Sequence, residues 1–472
     1  MYMLMRIKFD NRFFLCVVIG LIILRAILNG AVPLLDKTEA RYAEIARIMA
    51  ETQYWVVPHI EYHMPFWAKP PLSTWLSAVS FTTLGVNEFT ARLPYLLMTV
   101  ILAVWLGRYA RKENLPFFLP GFILLTIPEV FLHAGVVSTD TALAFCTCIV
   151  MLSFWEAMQP GSRKIWGYLI FVGLGLGLLA KGPIIGILTI PPIVVWVFVF
   201  GNVKEVWQRI PIFHGFLITA LIAVPWYYLA KIHSPGFIDY FILGEHFKRF
   251  FDSNWQGDKY GFPKTQPLGI IWLFLQLFAL PWIQVVFFKS FKNIRNNGRK
   301  LFTNQWVLFL LLWLIWTPLF FTVSKSLIHP YIMPVMVPVV LLLVHYWKEI
   351  KKKTTLIKLA LVFPLLVLVL FISLQFSDNF KSQVYRNTDK YLLENCDRDY
   401  DLYYFGEKTY SSQFYSGGKV QEINVKQLIE QDQPYYILIP NKREAEIPGN
   451  IKAGLELIAA SEKCKLFLYR RN

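Results

Sequence analysis

Charge is scarce in this chain: Asp, Glu, Lys and Arg make up 17% of its 472 residues, against about 25% in an ordinary soluble domain. Acids are scarcer than bases, 31 Asp and Glu to 47 Lys and Arg, leaving a formal charge of +16. Five cysteines are too few for a disulfide framework and lack metal-binding spacing. Disorder, collagen, coiled coil and a small disulfide scaffold are excluded by this composition. What is present is apolar: 56% hydrophobic and 17% aromatic residues, with mean hydropathy +0.45. Apolar runs near twenty residues recur along most of the chain, each the length of a membrane span. The chain reads as a polytopic α-helical membrane protein.

Eleven runs lie near 13–32, 90–107, 114–132, 138–158, 165–180, 183–201, 212–230, 268–288, 304–323, 329–347 and 355–376. The first follows Arg6, Lys8 and Arg12 as a signal peptide would. It carries Arg25 and lacks a small-residue cleavage site, so it reads as a retained span. Arg25 is expected to snorkel or to face a polar cavity. Basic residues concentrate in alternate short loops, at 108–112, 163–164, 204–209, 289–300 and 348–358. With these on the cytoplasmic side the N-terminus is inside, and an odd number of spans puts the C-terminus outside. Most of the positive charge is then topogenic, and nucleic acid is not needed as a partner.

Three segments face outward: 33–89, 231–267 and everything after 377. Pro71 to Leu84 is short for a span and reads as an interfacial or re-entrant helix; if it crosses with a second short segment, the count rises to thirteen. Residues 1–377 thus form the membrane domain. Residues 378–472 read as a small α/β domain, with strand-like runs Leu402–Phe405, Tyr435–Ile439 and Lys465–Tyr469 alternating with helical stretches such as Val425–Asp432. Cys396 and Cys464 each precede a strand in a compartment that permits disulfides, so a structural bridge is expected.

The outer segments hold the polar residues that could carry chemistry. Asp36, Glu39 and Arg41 open a helix directly after a span, where a capped, salt-bridged surface helix is the plain alternative, with Glu44 and Arg47 pairing at i,i+3. Lys69 is held by Pro70 and Pro71 at the mouth of the short helix, a good place for a phosphate ligand and an ordinary place for a solvated lysine. Asp140 is either a helix cap or a boundary carboxylate that must be paired or used. Glu245 and His246 lie in an amphipathic, aromatic and basic segment of the kind that rests on a membrane. Lys325, His329 and Tyr331 crowd the link Ser324–Tyr331 between two spans. The glycines at 173, 175 and 177 suggest close helix packing and do not form a nucleotide fingerprint.

In order, TEARYAEIAR (38–47), KPPL (69–72), NEFTARLP (87–94), LLAKGP (178–183), PGFIDYFILGEHFKRF (235–250) and SKSLIHPYIMP (324–334) resemble bacterial GT-C membrane glycosyltransferases of the aminoarabinose (lipid A) transferase and protein-mannosyltransferase type. The similarity runs over most of residues 30–347. The resemblance implies an enzyme of the bacterial inner membrane, with its C-terminal domain periplasmic. Such an enzyme moves a sugar from an undecaprenyl-type phosphate carrier to lipid A or to another glycan or protein acceptor. It makes Glu39, Asp36 and Asp140 the candidate catalytic carboxylates, and Lys69, Arg41, Lys325, His329 and Tyr331 the candidates for the donor phosphate. It also leaves room for a divalent metal, with His246 and Glu245 as candidate ligands. The chain departs from the family pattern at Thr38, where an Asp usually precedes the Glu, and at Ala68, where a Glu often precedes the lysine. A lipid or sugar flippase is the alternative of another class, and the one-sided clustering of polar residues disfavours it.

Overall fold

The computed structural model describes residues 9–248, 259–260, 266–298, 303–377, 382–383, 385–397 and 400–470. The first span, α1 (Asn11–Ala31), is capped by Asp10, which accepts from the Phe13 amide. α2 (Thr38–Thr52) follows outside the span. A small hairpin of β1 (His59–Glu61) and β2 (Met64–Pro65) then leads to Pro70 and Pro71. The proline pair opens α3 (Leu72–Leu84), the short helix expected here, which ends at Gly85 with φ 86°. Asn87 and Thr90 form a reciprocal capping box at the start of α4 (Glu88–Lys112).

Each of the eleven apolar runs is helical, but not each is a full span. Among the described residues six helices are long and apolar enough to cross a membrane: α1, α4, α7 (Thr139–Ala157), α11 (Ile212–His233), His329–Glu349 and Lys353–Phe376. The remaining runs are shorter or broken helices. Run 114–132 divides into α5 (Leu119–Thr126) and α6 (Pro128–His133), because Pro128 has no amide to donate and its ring clashes with the preceding turn. Run 268–288 is two helices, Ile270–Phe278 and one starting at Trp282, bent by 109°. α8 (Ile165–Lys181), α9 (Ile184–Phe200) and the helix Gln305–Phe321 have 17 residues each. That is about 25 Å of helix, just short of a hydrocarbon core of about 30 Å. A short α10 (Val203–Arg209) lies before α11.

The glycine run on α8 does serve packing: a Cβ on Gly177 would lie 2.4 Å from Ile185 of α9. Arg25 is held inside the protein. Its guanidinium donates to Asn29 Oδ1 at 2.8 Å and to the Gly135 carbonyl at 2.9 Å, over the ring of Phe131, so it needs no lipid-facing escape.

The C-terminal residues form a five-stranded mixed sheet in the order β4-β3-β5-β7-β6. β3 (Asp401–Phe405) pairs in parallel with β4 (Gln421–Ile423) and β5 (Tyr435–Pro440). β7 (Cys464–Tyr469) runs antiparallel to β5 and to β6 (Leu455–Ala460). The three expected strands are β3, β5 and β7, and the expected helical stretch is Val425–Ile429. Cys396 and Cys464 are free thiols, which corrects the expected bridge. Cys464 is buried in the sheet as a small apolar side chain.

This sheet domain is docked onto the membrane domain. Its helix Tyr410–Ser416 packs on α2, and its Phe414 meets Phe81 of α3 with ring centroids 6.1 Å apart. Tyr415 accepts from the Leu34 amide at 2.7 Å and donates to Glu88, which also takes Lys390 at 2.7 Å.

Candidate active site

The chain leaves the C-terminal end of α1 and turns at once into α2, so the junction must be pinned. Arg92, one turn into α4 and 2% exposed, does this. Its guanidinium makes a two-pronged bond to Glu39, Nε to Oε1 and Nη2 to Oε2, both 2.8 Å. The remaining donors reach the carbonyls of Asn29, Val32 and Pro33 at 2.9, 2.5 and 3.1 Å. Glu39 also accepts from the Val137 amide at 3.3 Å. A planar fork with five donors suits this multiple clamp. The contact of the TEARYAEIAR and NEFTARLP motifs is therefore a buried ion pair joining α1, α2, α4 and the entrance to α7.

Two lysines lie beside this hub, each paired with a carboxylate. Lys69 Nζ reaches Glu245 Oε2 at 2.8 Å and its neighbour's carbonyl, Ala68, at 2.7 Å. Lys181, at the C-terminal end of α8 where the helix dipole favours a cation, reaches Asp140 Oδ1 at 2.5 Å. Its ammonium lies over the ring of Tyr331, 4.0 Å from the centroid. Asp140 does not cap α7: Ser138 does, accepting from the Asp140 amide at 3.1 Å. An apolar cavity lined by Met98, Leu124, Phe145, Met333 and Val337 also includes Thr141, the residue after Asp140.

The other residues singled out in the sequence have different partners. Arg41 donates to the Tyr260 carbonyl among the rings of Tyr42, Phe66 and Tyr410. Lys325 is exposed, and its backbone carbonyl accepts from Gln266. His329 gives its Nδ1 to Glu129 at 3.0 Å. Asp36 faces the sheet domain: it accepts from the Ser411 amide at 3.0 Å and from the Ser411 hydroxyl, and its own amide donates to the Asn387 carbonyl at 2.8 Å. Burial pushes the Asp36 carboxyl up to about 7. The side chain of His246 lies outside the described residues, as do Arg249 and Phe250 at the end of their motif. Of the residues named for a family-type metal, Glu245 is bonded to Lys69, and position 68, where the family pattern often has Glu, is alanine.

Sequence reasoning missed Arg92 and assigned no role to Lys181. Both stand inside quoted motifs, but their partners are 53 and 41 residues away. Glu44 and Arg47 do pair at i,i+3, at 2.7 Å, as their spacing predicts.

The dolichyl-phosphate-mannose-protein mannosyltransferase family matches residues 12–241. The undecaprenyl phosphate-alpha-4-amino-4-deoxy-L-arabinose arabinosyl transferase of Erwinia tasmaniensis is 28% identical over 317 residues, 65% of this chain and 54% of that protein. The transferase of the same description from Aeromonas hydrophila is 29% identical over 357 residues, 73% of this chain and 63% of that protein. The crystal structure of ArnT from Cupriavidus metallidurans bound to undecaprenyl phosphate superimposes with TM-score 0.74 over 97% of both chains, at 17% identity. The chain has the ArnT fold. It is an integral membrane protein related by sequence to the aminoarabinose transferases and the protein mannosyltransferases. Its matches span between half and two thirds of the length of those sequence relatives.

Proposed function

We propose that the chain transfers a sugar from a polyprenyl-phosphate carrier to an acceptor on the outer face of a bacterial inner membrane, with its N-terminus cytoplasmic and its sheet domain periplasmic. The observation that carries this reading is the pair of lysines, Lys69 and Lys181, each held by a carboxylate, at the start of α3 and the end of α8. A lipid-phosphate leaving group gathers negative charge as the glycosidic bond breaks, and fixed cations beside an apolar surface stabilise that charge without reorganising. The apolar side chains packed beside Thr141, next to Asp140, limit water there, which favours transfer over hydrolysis.

The ion pairs also suggest how a base is released. An arriving phosphate competes with Glu245 and Asp140 for the two ammonium groups. Once Lys181 turns to the phosphate, Asp140 is free to take the proton of an acceptor hydroxyl. The acceptor oxygen bonds to the anomeric carbon, the bond to the phosphate oxygen breaks, and the carrier phosphate leaves with the electron pair, inverting the centre. An acceptor phosphate, already ionised, would need no base. Lipid A is the proposed acceptor, after the aminoarabinose transferases; a protein hydroxyl is the second reading, after the match to the mannosyltransferase family over residues 12–241.

The deciding assay incubates the purified chain with a polyprenyl-phosphate sugar and either lipid A or a peptide acceptor. Release of free carrier phosphate with a glycosylated acceptor supports the transferase, and the acceptor used separates the two readings. Movement of intact donor across vesicles without release would replace it with a flippase.

A further inference from the structure

A second group of ligating side chains stands at the outer end of the helical domain, and the transfer chemistry above does not use it. Glu129 and His133 are four residues apart on α6 and therefore share one face. His329 opens the 3₁₀ segment His329–Val335, 200 residues later. Glu129 Oε1 lies 3.1 Å from His133 Nε2, and His329 Nδ1 lies 3.0 Å from both Glu129 oxygens. The three ligand atoms fall within 4.8 Å of one another. Glu129 is fully buried and His133 is 5% exposed, while His329 keeps an open edge. Its ring is stacked on Phe278, with centroids 4.5 Å apart and planes 9° apart. His133 Nδ1 is buried and has no hydrogen-bond partner among the described residues.

We propose that Glu129, His133 and His329 bind a zinc(II) ion. Two imidazoles and one carboxylate make up the protein ligands of open zinc sites, which leave a fourth position to water. Zinc bonds of about 2.0–2.2 Å place tetrahedral ligands roughly 3.3 Å apart, so the two glutamate–histidine distances need to open by only a few tenths of an ångström, with the two histidine nitrogens already within 4.8 Å of each other. Magnesium and calcium prefer all-oxygen shells; two imidazoles select against them. A dication also compensates the carboxylate of Glu129, which is costly to bury without full pairing. The open edge of His329 gives the ion its way in and its fourth ligand. Bound there, zinc ties α6 to the segment that carries Tyr331, the ring beneath Lys181. The ion is thus placed to position Tyr331 and stands apart from the sugar. The proposal does not depend on the transferase reading, since metal uptake needs neither donor nor acceptor.

The test uses the full chain in detergent, untagged and stripped with a chelator, titrated with zinc chloride and separately with magnesium chloride. One equivalent of zinc should bind and raise the melting temperature, while magnesium should do neither. His329→Ala, at the exposed edge, should fold and lose zinc affinity by at least about tenfold; Glu129→Gln should do the same. If the wild type takes up no stoichiometric zinc, the three residues are only a hydrogen-bonded cluster and the proposal falls. Unchanged affinity in His329→Ala overturns it as well, and that variant decides alone should Glu129→Gln not fold.

Discussion

Glu39 is the acid that best matches the family position for a catalytic carboxylate, yet its surroundings are those of a structural anchor. The perturbation that separates these roles is Glu39→Gln. It removes one charge from a pair in which Arg92 is 2% exposed and leaves that guanidinium buried with only three backbone carbonyls and a neutral amide. Breaking a buried ion pair from one side costs about 3–5 kcal/mol. Because Arg92 retains the carbonyls of Asn29, Val32 and Pro33, the lower end, about 3 kcal/mol, applies here. Replacing both partners relieves the unpaired charge, so Glu39→Gln with Arg92→Met should recover part of the loss, with a coupling above roughly 1 kcal/mol in a double-mutant cycle. The assay is thermal unfolding in detergent beside turnover on the same preparations. A general base would behave in the opposite way, losing about 10²–10⁴-fold in rate at unchanged stability. Should Glu39→Gln melt like the wild type and lose only turnover, the anchor assignment is refuted and Glu39 is the base.

Lys69→Ala and Lys181→Ala should each lower carrier-phosphate release by at least about 100-fold with folding retained, Lys69→Arg should keep part of the activity, and wild-type turnover in both Ala variants would remove the lysines from the site. Asp36 has a folded-state carboxyl raised from 3.8 to about 7, so the folded form holds a proton that the unfolded chain releases from about pH 4 upward. Its contribution to stability is fully present below pH 4, falls by at most about 1.4 kcal/mol per pH unit up to about pH 7, and is flat above. Melting temperatures measured from pH 4 to 8 should therefore decline less steeply in Asp36→Asn, and parallel curves would contradict the assignment. Reductant should leave melting unchanged, and alkylation after unfolding should count five thiols without prior reduction; a count of three would restore the bridge between Cys396 and Cys464. Impermeant thiol reagents should label Thr82→Cys and Lys442→Cys from outside but not Arg295→Cys, and labelling at 295 alone would invert the topology.

What the sequence reveals here follows the range of each interaction. Helices and their ends are local: Asn87 and Thr90 build a capping box within four residues, and Glu44 finds Arg47 within one turn. Ladder strands β3, β5 and β7 show as apolar runs, whereas β4 (Gln421–Ile423) is short and polar and β6 (Leu455–Ala460) carries half-exposed residues, so neither leaves a pattern of period two strong enough to read. Ion pairs are another matter, because spacing says nothing about partners far along the chain. Glu39, Asp36 and Asp140 look equivalent in one dimension, three acids near the ends of helices. In three dimensions they meet Arg92, Ser411 and Lys181, which makes the first a clamp, the second an interdomain contact and only the third a neighbour of the phosphate candidates.

The same reasoning bears on the departure at Ala68. A carboxylate next to Lys69 in sequence would hold the ammonium in the conformation that the Pro70–Pro71 corner presents. Here Glu245 supplies that carboxylate from 176 residues away, at 2.8 Å, so the charge missing from the motif is restored in space. This has a measurable consequence. If Glu245 serves to hold Lys69 ready, Glu245→Gln should leave the ammonium charged but loosely placed, weakening donor binding while the rate at saturating donor falls less. Restoring the acid locally, with Ala68→Glu in the Glu245→Gln background, should recover donor affinity. An Ala68→Glu substitution that rescues nothing would show that the position of the acid, and not only its charge, is what Lys69 requires.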